Sequence, residues 1–172
     1  MFDDHLVSRG NDMLTGNPDT FAIWCDQVDS WSTDKFSNGC FGYFIAGNLV
    51  RSLRSTLGVD FHRLNLLHVM NHRVEDQSLF ELPDQDAYFR LHKMAFPDQY
   101  SDSPVNDFTH LISTESMSDE ENYIFLVEFK DEAKIISGYK DHASTVLSVS
   151  LQQGEFQKIV REATEKFKLM RN

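Results

Sequence analysis

Tyr123-Ile124-Phe125-Leu126-Val127-Glu128-Phe129 is apolar at nearly every position. A strand with one wet face alternates apolar and polar residues. This run does not, so it reads as a strand covered on both faces and central in its sheet. Lys130-Asp131-Glu132 follows as a turn, and Ala133 to Tyr139 returns antiparallel. Val146 to Leu151 gives a further strand, with Leu147, Val149 and Leu151 on one face. Phe156, Ile159, Val160, Ala163, Phe167 and Met170 then recur at the spacing of a helix buried along one side.

Towards the N-terminus, Ser118 to Asn122 reads as a solvated loop and Phe108 to Ser113 as a strand. Pro83 suits the first turn of a helix, whose early N–H groups lack intrahelical partners. Ala87, Tyr88, Leu91, Met94 and Ala95 form its apolar stripe, and Pro97 ends it. Phe61, Leu64 and Leu67 place another helix over Thr56 to Met70. Phe21 to Cys25 and Cys40 to Ile45 read as strands, separated by a polar turn region. Leu49-Val50 opens a short third strand. Strands joined by tight turns, with helices grouped between and after them, indicate an α+β fold. Its expected form is a mainly antiparallel sheet with packed helices, including the C-terminal amphipathic one. Residues 1–12 read as a frayed N-terminal extension and 13–172 as a single domain.

The chain has 172 residues, 41% hydrophobic and 12% aromatic, which suits one domain with a sizeable core. No apolar stretch approaches the ~20 residues that span a bilayer. The N-terminus is acidic where a secretory signal would be basic, so the cytoplasm is the expected compartment. The two cysteines, Cys25 and Cys40, have no metal-binding spacing and read as reduced core thiols.

The formal net charge is −11, unevenly spread. Residues 75–132 carry −12, whereas 51–74 and 133–172 carry +3 each. Nucleic acid would require a basic footprint, so it is a poor partner. A basic protein partner fits the acidic middle, unless the charge serves solubility alone.

Catalytic signatures are sparse. There is no GxGxxG, phosphate loop, GxSxG or HExxH. His68 and His72 would share a face of a continuous helix, with His62 or Asp60 as a third metal ligand. Asn71 suggests that the helix is already ending, so ordinary histidines at a helix terminus are the favoured reading. Cys25 lies in an apolar strand, where a thiol is inert. Catalytic residues, metal and cofactor are therefore all assigned as none. Trp31 sits in a polar turn. It is either an exposed interface anchor or, as the favoured alternative, a lid folded over the sheet.

Gly16-Asn17-Pro18, Phe21-Ala22-Ile23, Asp26, Val28, Trp31-Ser32, Asn38-Gly39, Phe41, Tyr43, Ile45 and Gly47 follow one another in fixed order. Phe125-Leu126-Val127-Glu128, Ile135 to Tyr139, and Val149-Ser150-Leu151 with Phe156 and Val160 close the pattern. This order resembles the immunity protein 42 family of bacterial polymorphic toxin systems. The resemblance implies a non-enzymatic cytoplasmic protein that binds and neutralises a cognate toxin. The resemblance fixes no contact residues. The acidic middle nominates Glu75, Asp76, Asp84, Asp86, Asp119, Glu120 and Glu121 as toxin-binding candidates and a basic toxin as partner, and the polar-turn placement adds Trp31. A small enzyme using histidine or carboxylate chemistry, or an orphan accessory protein, are the alternatives. Gly42 departs from the pattern, inside a strand where a larger residue is usual.

Overall fold

The computed structural model describes residues 12–100, 102 and 105–171. Residues 1–11, most of the expected extension, lie outside the described residues. The first strand, β1 (Asp12–Asn17), already includes Asp12.

Two antiparallel sheets replace the single sheet expected. The first is a meander in the order β1, β2 (Phe21–Gln27), β3 (Asn38–Ile45) and β4 (Asn48–Thr56). Its inner face carries Met13, Phe21, Ile23, Cys25, Phe41, Tyr43 and Ile45, all buried. The second sheet is β5 (Asn122–Phe129), β6 (Glu132–Tyr139) and β7 (His142–Gln152). Period-two alternation sends Ile124, Leu126 and Ile135 into a core shared with the first sheet. Phe125, Val127 and Ile136 face the other way, into a smaller core.

Helices fill the remaining sides. α1 (Leu57–Asn65) and α5 (Glu155–Met170) pack into the main core. α2 (Gln77–Glu81) and α3 (Asp84–Ala95) cover the outer face of the second sheet. α4 (Glu115–Asp119) lies just before β5. Phe156 of α5 meets the Phe21 ring at 5.4 Å, and Phe61 of α1 stacks on Phe167 at 4.5 Å. Such aromatic pairs add to the burial energy of the rings themselves.

Several expectations need correction. β5 is not central: it is the edge of its sheet, and β6 is the middle strand. Its two-sided burial nevertheless holds, with Phe125 and Val127 both buried. Irregular backbone saturates its free edge. Leu126 N–H donates to the His110 carbonyl at 2.8 Å, and Ile112 N–H donates to that of Ile124 at 2.8 Å. Further along, Glu128 N–H donates to the Val74 carbonyl at 3.1 Å and Asp76 N–H to the Glu128 carbonyl at 2.9 Å. Edge polar groups are thereby paired as a neighbouring strand would pair them. Phe108 to Ser113 supplies part of this cover as a loop with one isolated bridge, Leu111 to Phe125, and not as a strand.

The strand begun at Leu49-Val50 runs on to Thr56, so α1 starts at Leu57 and ends at Asn65. The loop expected over 118–122 is partly α4, capped by Thr114, whose hydroxyl accepts from Met117 N–H at 3.4 Å. Gly42 has a plain steric reason. A Cβ there would meet the Val50 carbonyl oxygen at 2.7 Å and the Leu49 side chain at 3.0 Å.

Candidate interaction surface

The nominated carboxylates do not form one surface. Asp119, Glu120 and Glu121 precede the start of β5, while Glu75 and Asp76 flank Glu128 near its far end. An eight-residue strand places those ends about 24 Å apart. Asp84 and Asp86 open α3, over the outer face of the second sheet.

Most of these acids are already engaged within the chain. Glu75 pairs with Arg73 at 2.8 Å and Glu121 with Lys140 at 3.2 Å. Asp84 lies 3.7 Å from Lys134 and also accepts from the Ser148 hydroxyl. Glu120 accepts from the Ser52 hydroxyl at 3.1 Å. Asp76 caps α2, accepting from Leu79 N–H at 3.0 Å and the Ser78 hydroxyl at 2.9 Å. The Leu79 N–H is the largest cause that holds its carboxyl below the ordinary range. Asp86 and Asp119 are exposed.

Trp31 ends a 3-10 turn, Asp29–Trp31, and is 51% exposed. The lid reading is therefore corrected: the residue is half exposed and does not enter the core. The turn is fixed from below, because Asn38 Nδ2 donates to the Trp31 carbonyl at 2.8 Å.

The histidine pair does not sit on one helix. α1 ends at Asn65, His68 begins a separate 3-10 turn, and the His68 and His72 rings stack at 4.2 Å. Asp60 is buried as a strap between elements, accepting from the Ser55 hydroxyl and from both Ser116 N–H, at 3.1 Å, and Ser116 Oγ. Among the described residues, no group of three His, Cys, Asp or Glu side chains is placed to hold a metal ion. Cys25 is opposite Phe41 and Cys40 is opposite Asp26, so the two thiols point to opposite faces of the first sheet. Burial, with the Asp26 charge second, pushes the Cys25 thiol up to about 12, which suppresses the nucleophilic thiolate. No helix among the described residues is long and apolar enough to cross a membrane.

Sequence reading passed over Asp107 and Glu115. Both line a groove of about 900 Å³ beside the C-terminal end of α1. Asp107 accepts from Thr109 N–H at 2.9 Å, and Glu115 opens α4 and pairs with Arg63 at 3.3 Å. The Asp107-Phe108-Thr109 turn and the Thr114 cap were the available signals.

Three comparisons bear on this architecture. No curated protein matches the chain. A solved structure does match, the crystal structure of CdiI from Burkholderia dolosa AUO158. It has a TM-score of 0.87 and 54% sequence identity, over 90% of this chain and 99% of that one. The model of the immunity protein 42 family matches residues 13–166. The chain belongs to the immunity protein 42 family.

Proposed function

We propose that this chain neutralises a cognate bacterial toxin by stoichiometric masking, with residues 13–172 as the acting domain. The observation that carries the reading is the family match across 13–166, together with a CdiI structure that is similar at 54% identity. Masking needs a rigid scaffold and a complementary surface. Two sheets clasped by α1 and α5 supply the first. The exposed acids of the middle segment, which is net −12 over 75–132, supply charge for the second. The partner is a basic toxin domain met in the cytoplasm, not nucleic acid or a membrane. Asp86 and Asp119 face it, as does Trp31 as an aromatic anchor.

The test is a titration of toxin activity with purified protein. Masking gives a sharp end point at a fixed stoichiometry, with activity recovered when the complex is dissociated. Protection by far less than stoichiometric protein, or toxin left chemically altered after separation, would mean catalysis and sink the reading.

A further inference from the structure

Leu66, at the C-terminal end of α1, is 63% exposed, Val105 72% and Phe108 47%. All three line the same groove of about 900 Å³, with Leu67 and Leu111 also in its wall. Apolar side chains scattered over a convex surface need no explanation; gathered in a concavity they mark a place where something docks. The rim is acidic in its uncompensated charge. Its one Lys or Arg side chain, Arg63, is engaged by Glu115 at 3.3 Å, which leaves Asp107, with His68 and His110 near it, as the carboxylate without a Lys or Arg partner in the groove. The Thr109 hydroxyl, and then its N–H, hold that carboxyl below the ordinary range, so it is charged at neutral pH. Asp119, one turn beyond Glu115 on α4, lines an adjoining smaller pocket that shares Glu115.

We infer that this groove seats a segment of the cognate toxin that presents an aliphatic or aromatic side chain beside a lysine or arginine. The inference rests on the masking reading and gives it a place on the molecule. Charge selects the occupant: an apolar floor under unneutralised carboxylates rejects an acidic segment and favours a basic one. A second copy is the competing occupant, because Leu169 stands exposed near the end of α5, between Lys168 and the capping Arg171. A pair of chains closes on that contact only if groove and Leu169 meet reciprocally about a two-fold axis. The toxin has no such constraint.

The experiment measures binding to the cognate toxin domain. The proteins compared are wild-type, Leu66→Ser/Val105→Ser, Glu115→Lys and, as a distant control, Leu169→Ser, each checked for an unchanged melting transition. The double serine variant is expected to weaken binding more than thirtyfold through faster dissociation. Glu115→Lys should slow association several-fold, and Leu169→Ser should bind as wild-type does. Amide exchange should slow over 105–118 in the complex. Wild-type affinity in the double variant, with no protection over 105–118, removes the groove and leaves masking intact. If wild-type itself does not bind the toxin, both readings fall. Self-association that is lost on Leu66→Ser or Leu169→Ser, with toxin binding unchanged, assigns the groove to a second copy and overturns the inference.

Discussion

At the scale of single residues, the carboxylates divide by employment. Asp76 holds the N-terminus of α2, accepting from Leu79 N–H at 3.0 Å. Asp76→Ala should destabilise the protein by ~1 kcal/mol at pH 7, as loss of an N-cap does. Its folded pKa is depressed, from an ordinary 3.8. The stabilisation is therefore complete above that value and is lost as pH falls through the lower folded one. Urea unfolding at pH 7 and in acid should show the gap between variant and wild-type closing in acid. Gly138 makes the opposite demand. A Cβ there would lie closer than 3.0 Å to three atoms of the Tyr88 ring. That ring is fully buried and its hydroxyl donates to the Lys140 carbonyl, so it has little freedom to yield. Gly138→Ala should cost ~1–3 kcal/mol through overpacking, read as a lowered urea midpoint. Neither role was legible in the sequence. Asp76 caps a helix of five residues, too short to show a period. The Gly138 contact is with a helix fifty positions away in the chain.

At the scale of elements, legibility followed the strength of the repeating pattern. α5 is readable because its buried residues, Phe156 through Phe167, keep one helical face along most of a sixteen-residue helix. β4 was cut short because its inward positions include Ser52 and Ser55, which look like surface residues. Ser55 faces inward to meet Asp60, a partnership that only the fold creates. β5 was given the wrong place for a physical reason. Two-sided burial distinguishes covered from uncovered faces, whereas the edge of a strand concerns backbone partners, which side-chain patterns do not report. Here His110, Ile112, Val74 and Asp76 supply those partners. The contribution of α5 is open to measurement. Phe156→Ala removes a fully buried ring that meets both Phe21 and Tyr43 and should cost ~3–5 kcal/mol. Leu169→Ala, on the wet side of the same helix, should stay within ~0.5 kcal/mol. Equal losses from the two would mean that α5 does not dock as described.

At the scale of the whole molecule, charge asymmetry was visible in the sequence, whereas its division into engaged and available acids was not. Glu75, Asp84 and Glu121 each lie within ion-pair distance of a base, so their charge is largely cancelled at the distance of an approaching partner. Asp86 and Asp119 stand exposed, Asp86 in the first turn of α3 and Asp119 at the last residue of α4. These two should therefore govern long-range attraction more than their numbers suggest. On the masking reading, Asp86→Lys/Asp119→Lys should slow association with the toxin by roughly tenfold at low ionic strength, the lower end of what electrostatic steering supplies. The deficit should shrink as salt rises, because the Debye length falls from about 30 Å at 0.01 M to about 10 Å at 0.1 M. Glu121→Lys is the matched control. It frees Lys140 and disrupts a half-exposed pair, which solvent screens and which contributes little to stability. Because it adds positive charge at one end of the second sheet, it too should slow association, yet by less than the double variant. Stopped-flow association at several salt concentrations separates these outcomes. A rate that does not vary with salt in wild-type, or a double variant that associates as fast as wild-type at low salt, would remove the acidic surface from the encounter and leave the apolar contacts to account for recognition.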